Sequence, residues 1–466
     1  MPDTATAGRP TAIVIGASVT GLLAASVLAE FADVTLVERD VLPAGPQPRT
    51  GVPQARHAHL VWSGGVRAFD DLVPGLVGGI VAGGGRLVHI MGDMVSRAPN
   101  EIWFRRFLST HHRNLVCSRD LLDSVLRDRV LAHDRITLQQ HTIVHALEGD
   151  ARRVTGIRAS AGDRELTISA DLVIDASGRG SRAPHWLRDL GLPDVTERTV
   201  NAGVAYATRL YRAPGTTESM DFPLVNVQAN PAAPPGRGGI ILPVEGGRWI
   251  VTLSGTRGGE PTADPEAFVD FALALGDPVI GELIKGAEPI GGVETTRATG
   301  NRRRYYEKAE RWPEGFSVLG DAVAGYNPVY GHGLTVSAQS ALVLRRVLRR
   351  AHLTEPGTAL RVQRAVARPV AAAWDLAVGQ DAFYPGAADT PPTAVEKFLA
   401  RFVDRAVATG ARNPRALGAL LDVMSLEKPA TRLFSPDMLL PMLFGPRKPF
   451  LEGPPVTEAE RKSAMP

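Results

Sequence analysis

The sequence predicts an α/β fold, and three observations support it. The first 40 residues read as strand, glycine turn, helix and strand; residues 199–295 alternate strand-like runs with Gly- and Pro-rich turns; and helical periodicity dominates beyond Leu334. With 466 residues the chain has room for two or three domains, and 44 % hydrophobic with 22 % charged residues is ordinary globular composition. A formal net charge of +3 is small for this length and argues against a nucleic-acid partner. The lone Cys117 can form no internal disulfide and lacks metal-ligating partners at usable spacing, so it reads as inert, in a reducing cytoplasm, with no metal expected. The chain has no apolar run of about eighteen residues, and MPDTATAGRP lacks a signal-peptide pattern; the expectation is a cytoplasmic protein without a transmembrane segment.

The opening unit is TAIVIGASVTGLLAASVLAEFADVTLVERD, residues 11–40. A buried strand over 11–16 meets a glycine turn and an Ala/Leu-rich helix, and a second strand ends at Glu38. Gly16 allows the tight turn, Gly21 allows helix and strand to approach closely, and Glu38 stands where a ribose-binding acid belongs. Together they form a Rossmann βαβ unit for a dinucleotide, with Ser18 in place of the middle glycine. This unit leaves NAD and FAD both open.

A distant segment narrows the choice. FSVLGDA (316–322) reads as a strand ending in a tight turn, and GYNPVYGHG leads into LTVSAQSALVLRRVLRRAH, which has apolar helical spacing and a basic last turn. Gly331 to Gly333 therefore sit at a helix N-terminus, where free N–H groups favour an anionic or electron-rich ligand. This segment resembles that of FAD-dependent hydroxylases, which implies that Asp321 holds the ribityl chain and that Pro328, Gly331 and Gly333 approach the flavin ring. DLVIDASGRGSRAPHW (171–186) is similar to a third segment of those enzymes, with Ser177-Gly178 where Asp-Gly is usual. CSRDLLDSVLRDRV (117–130) resembles their Arg-x-x-Leu helix; Arg119 either approaches the flavin phosphates or ribityl chain or is a solvated surface cation. Arg49 and Arg56 fall where the loop after the second strand nears the cofactor, and Arg49 is preferred.

In their order these segments resemble the group A flavoprotein monooxygenases. GVPQARHAHLVWSGG, SGRGS, YATRLYRAP, GRWIVTLSGTRGGEP and NPVYGHGLTVSA are further similar to the bacterial FAD epoxidases of polyether ionophore assembly, relatives of squalene epoxidase. The resemblance implies a Rossmann-type FAD-binding domain of the para-hydroxybenzoate hydroxylase type from 1–80, 105–198 and 296–350. It implies a β-sheet substrate domain from 81–104 and 199–295, and a helical cap and tail from 351–466. Implied cofactor residues are Gly16, Ala17, Ser18, Gly21, Glu38, Arg39, Arg49, Arg119, Val144, Asp321, Gly331, Gly333 and Leu334. Implied catalytic residues are Pro328, Gly331, His332 and Gly333, with His332 acting through its backbone more than its imidazole.

The implied activity is epoxidation of a polyene polyketide, free or carrier-bound, in antibiotic biosynthesis. Reduced FAD and dioxygen would form a C4a-hydroperoxide, and electrons would come from NAD(P)H or a separate flavin reductase. The protein then has to position the alkene, exclude water and stabilise flavin charge; no strong acid or base is needed. Aromatic hydroxylation of a phenol shares every cofactor motif and is the nearest alternative. Flavin halogenation is weaker, for no WxWxIP segment is visible. A non-catalytic FAD-fold escort protein would have no use for both Glu38 and Asp321.

Other features take plainer readings. Alternation in VAYATRLY puts Val204, Tyr206, Thr208 and Leu210 on one side of a strand and Ala205, Ala207, Arg209 and Tyr211 on the other, with either side free to line the cavity. His57 and His59 read as packing near the flavin or substrate mouth, and His111-His112 as a surface pair. NRRRYY (301–306) and RRVLRR (345–350) read as solvated helix faces, with docking of an acidic carrier domain as the alternative. KPF and LLPMLFGP (439–446) read as a buried apolar cap rather than a membrane-touching surface, and KPFLEGPPVTEAERKSAMP as a loose terminus.

Overall fold

The computed structural model describes residues 8–108, 111–217, 221–445 and 448–464. Its centre is a five-stranded parallel sheet in the order 316–318, 172–175, 11–15, 33–37, 136–139. Strands Thr11–Ile15 and Leu172–Asp175 are almost wholly buried and read as continuous apolar runs, because helix Val19–Leu28 packs on the first and the three-stranded sheet of Ile143–Gly149, Val154–Ala161 and Arg164–Ser169 packs against the second. Helix Val19–Leu28 follows the first strand, and its Ala/Leu composition lets it lie flat on the sheet on nearly every side. Helices Arg119–Leu131 and Gly333–Leu348 pack against it and complete the layer.

Close approach fixes the first turn. A Cβ at Gly21 would lie 1.7 Å from Gly16 O, and Gly16 itself has φ +97° with Ala176 O only 2.8 Å from its would-be Cβ. Both glycines are therefore demanded by sterics.

A second sheet of six strands runs in the order Pro289–Thr296, Ala205–Arg212, Arg248–Gly255, Arg237–Val244, Leu224–Val227, Met94–Arg97. It is antiparallel except at its last pair. One face buries Ala207, Tyr211, Trp249 and Val251 against the short helices Ala267–Leu273 and Val279–Ile284. The opposite face, carrying Tyr206, Thr208 and Leu210, turns toward the loop after Pro328, which resolves the side that alternation left open. A three-stranded sheet of Glu197–Val200, Asn301–Arg304 and Ala324–Gly325 bridges the two large sheets.

The basic run at 301–304 is thus a strand, not a helix face. Arg303 and Arg304 are buried and ion-paired, to Glu307 at 2.7 Å and Glu197 at 3.0 Å, because the bridging sheet is covered on both sides. In RRVLRR, Arg345 and Arg349 both pair with Glu30. His112 is buried, with Nε2 3.2 Å from Asp422, while His111 is exposed, so the pair is not a surface pair.

Beyond Thr358–Asp381, helices Ala394–Gly410, Pro414–Met424 and Pro436–Phe444 form a cap over Trp62, Leu224 and Leu242. The cap is not the sealed one expected, since Leu440, Leu443 and Phe444 stand exposed. The tail is docked rather than loose: Leu451 and Val456 pack on the sheet-side core and buried Glu460 pairs with Arg106 at 2.6 Å. Residues 446, 447, 465 and 466 of these segments lie outside the described residues. Among the described residues no helix is long and apolar enough to cross a membrane.

Gly21→Ala should destabilise the protein by about 3 kcal/mol, since its methyl has to displace backbone. Urea unfolding beside the wild-type protein measures the loss; a change below about 0.5 kcal/mol would contradict the steric account.

Candidate functional site

The first helix presents its N-terminus to an open turn. Leu22 N makes the first intrahelical bond, to Ser18 O at 2.9 Å, which leaves the amides of Val19, Thr20 and Gly21 without an intrahelical acceptor. Ser18 is the helix N-cap, but its hydroxyl caps nothing and instead accepts from Arg119 Nη2 at 2.9 Å. Arg119 is 6 % exposed and also donates from Nε to Asp123 Oδ1 at 2.7 Å, so it is no solvated cation.

Glu38 closes the other side of the turn. Its carboxylate accepts from Ala17 N at 2.8 Å, from Asp40 N at 3.1 Å and from Arg49 Nη2 at 2.9 Å, while Arg49 Nη1 donates to Ala17 O. Arg49 is buried here, whereas Arg56 is half exposed and pairs with Glu294 at the edge of the second sheet. Arg39 points outward beside Asp40, and Leu334 is buried. Val144 is a core residue two positions beyond Thr142, whose amide donates to Glu38 O at 2.9 Å.

The turn at 320–322 faces the second helix start. Gly320 has φ +63° against Thr20, whose hydroxyl donates to Ser337 Oγ and so ties the two helices together. Asp321 looks toward Gly333, where a Cβ would meet only Asp321 Oδ1, at 3.9 Å. Burial pushes the Asp321 carboxyl above its usual range, and Arg179, 3.8 Å away, opposes that shift. In Gly333–Leu348 the first intrahelical bond runs from Val336 N to His332 O at 2.9 Å, so the amides of Gly333, Leu334 and Thr335 precede it. Ser177, in place of the usual aspartate, donates from N and Oγ to buried Asp175, which also takes Ser181 Oγ at 2.6 Å. The turn is rebuilt around Asp175.

Between these turns lies a network that no sequence motif announced. Asn327 Oδ1 accepts from Tyr206 OH at 3.0 Å, and its Nδ2 donates to Asp381 Oδ2 at 2.9 Å. Asp381 also takes Asn301 Nδ2 at 2.7 Å and Tyr330 OH at 2.5 Å. Asn-Pro is a turn signal that could have drawn attention to Asn327; Asp381, at the end of a long helix, gave none.

Two imidazoles border the same space. His332 Nε2 lies 3.0 Å from Met424 O and must donate to it, which leaves Nδ1 as a buried acceptor without a partner. Burial lowers its pKa to about 4. His57 is likewise lowered to about 4 by burial, with Nδ1 2.7 Å from Thr208 Oγ1. His59, lowered to about 3 for the same reason, donates from Nδ1 to His57 O at 2.8 Å.

The residues present fit a flavin dinucleotide. Arg49 Nε is buried without a hydrogen-bond partner beside a free helix N-terminus, as a pyrophosphate would require, and Gly333 opens onto Asp321 with nothing between. Asp321→Ala should therefore lose FAD, seen as a fall in the flavin-to-protein absorbance ratio; undiminished flavin would refute the ribityl contact. His57 and His332 titrate near 6.5 when unfolded and about 4 when folded, so the unfolded chain binds the extra protons. Their stabilising contribution is complete above pH 6.5 and is lost as pH falls toward 4, by up to roughly 3 kcal/mol each. Urea midpoints across that window should fall with pH, and less steeply in His332→Gln.

The chain matches the FAD binding domain family over residues 9–376. It is 32 % identical over 428 residues to protein Rv3254 of Mycobacterium tuberculosis, covering 84 % of this chain and 89 % of that protein. Among solved structures it is similar to the p-nitrophenol 4-monooxygenase PnpA of Pseudomonas putida, with TM-score 0.63 and 14 % identity over 89 % of this chain and 99 % of that one. It is similar too to PqsL, a probable FAD-dependent monooxygenase of Pseudomonas aeruginosa, with TM-score 0.59 and 18 % identity over 82 % of this chain and all of that one. Matched along most of its length, the chain belongs to the FAD binding domain family, of the group A flavin-monooxygenase type.

Proposed function

We propose that this protein is an FAD-dependent monooxygenase that epoxidises carbon–carbon double bonds of a polyene polyketide in polyether antibiotic biosynthesis. Bound FAD, reduced by NAD(P)H or by a separate flavin reductase, supplies the electrons that activate dioxygen. The chain's own residues bind, orient and exclude water. Glu38, Arg49, Arg119 and Asp321 hold the cofactor, and the amides from Gly333 onward stabilise negative charge on the ring. Pro328, Gly331 and His332 shape the wall on which the reaction takes place.

The observation that supports an alkene over a phenol is the weakness of the bases on that wall. Hydroxylating a phenol is assisted by taking its proton, which has a pKa near 10, whereas an alkene has none to give. His57 and His332, both lowered to about 4 by burial, are poor proton acceptors, and Tyr206 and Tyr330 already donate into the Asn327 and Asp381 network. Leu60, Leu210 and Ile240 give the facing surface an apolar character suited to a polyene.

The reduced protein, mixed with oxygen and a model polyene ester, should yield product heavier by one oxygen per alkene. Turnover of activated phenols with no alkene oxidation would replace the epoxidase reading by aromatic hydroxylation. Peroxide release with neither substrate would overturn both and leave only the cofactor.

A further inference from the structure

A hydrogen-bonded chain crosses the face that the second sheet turns toward the loop before the second helix. Thr208 and Thr252 stand opposite each other on neighbouring strands, and Leu210 with Ile250 is the next pair along that face. Both threonines are buried. The chain runs from Ala58 N to Thr252 Oγ1, on to Thr208 Oγ1 and then to His57 Nδ1, with steps of 3.0, 2.7 and 2.7 Å. It begins at an amide, which can only donate.

That origin sets the direction of the whole chain. Thr252 accepts from Ala58 N–H and gives its own hydrogen to Thr208, which gives its hydrogen to His57 Nδ1. Were Nδ1 the protonated atom, one threonine hydrogen would have no acceptor among the described residues, at a buried position where that is costly. The imidazole is neutral, its pKa lowered to about 4 by burial. Its one hydrogen therefore sits on Nε2.

That nitrogen has no partner among the described residues, and His57 keeps 6 % of its surface open. The ring lies 5.8 Å from that of Tyr206, whose hydroxyl reaches Asn327 Oδ1, one position before Pro328. His57 thus offers an N–H donor beside the reaction wall. The two neighbouring imidazoles differ, since His59 and His332 each spend their N–H on a backbone carbonyl.

We infer that His57 Nε2–H determines specificity by holding an uncharged carbonyl oxygen of the substrate, and so selects which double bond meets the flavin. This inference rests on the epoxidase reading for the kind of molecule bound. A fixed donor among apolar side chains discriminates well, because a plain hydrocarbon would leave it unpaired. An anion suits the place less, for the adjacent cation Arg56 is already paired with Glu294.

The test uses the oxidised FAD-loaded chain, in which binding is read from the flavin absorbance without turnover. Wild-type protein should bind a polyene methyl ester about tenfold more tightly than the hydrocarbon polyene of equal length. His57→Phe should erase that preference by weakening the ester alone, and His57→Gln, which keeps an N–H donor, should retain part of it. Thr208→Val removes the donor to Nδ1 and should reduce the preference as well. Nitrogen NMR of wild-type protein with isotope-labelled histidine gives a second measurement: the signals missing from either His57 variant should show Nε2 protonated and Nδ1 bare. Equal binding of the two polyenes by wild-type protein, equal loss of both in His57→Phe, or a hydrogen on Nδ1 would overturn the inference. Tighter binding of the free acid than of the ester would overturn the uncharged acceptor. An ester preference carried by His57, with no oxygen added to either polyene after reduction, would sink the epoxidase reading and leave the donor role standing.

Discussion

Asp381 brings a carboxylate into the interior, where only hydrogen bonds make it tolerable, and the site is arranged around satisfying it. The three donors come from two directions: Asn301 from the bridging sheet, and Asn327 and Tyr330 from the loop before the second helix. Through Asn327 the network reaches Tyr206 on the substrate-side sheet. A buried acceptor with three donors constrains each of them, because losing one leaves a polar group unpaired at about 1 to 3 kcal/mol. The loop is thereby fixed relative to the bridging sheet, the antiparallel sheet and helix Thr358–Asp381 at once. The amides that face Asp321 take their direction from that constraint.

The other end of the site works on a different principle. Arg49 and Arg119 are both buried, and each is held by one carboxylate, Glu38 and Asp123 respectively. Pairing relieves the cost of burial but leaves the guanidiniums aimed at the turn, where the helix N-terminus adds its own positive end. Small residues make that approach possible. The would-be Cβ positions of Gly16 and Gly21 are taken by the backbone oxygens of Ala176 and Gly16, so the helix start is drawn tight against the strand end.

Much of this was readable in the chain. Gly16, Gly21 and Glu38 announce the first turn because sterics and charge permit few alternatives, and FSVLGDA followed by glycines announces the second. Arg119 and Arg49 needed the fold, since burial decides whether an arginine is a surface cation or part of a site. Asp381 lies 54 residues beyond its Asn327 partner, a separation that no local pattern encodes. The errors have a common source. The arginines at 302–304, His112 and the apolar run at 439–444 are read from composition, which says what a segment prefers but not which neighbours cover it.

The order of strands in the parallel sheet also bears on how the protein is made. Its edge strand, Phe316–Val318, pairs with Leu172–Asp175, and the helix that faces the Asp321 turn ends only at Leu348. The N-terminal βαβ unit thus emerges from the ribosome long before its partners, as half a binding site with an exposed sheet edge. Cofactor capture belongs to the last third of synthesis. Until then the nascent chain depends on whatever shields that edge.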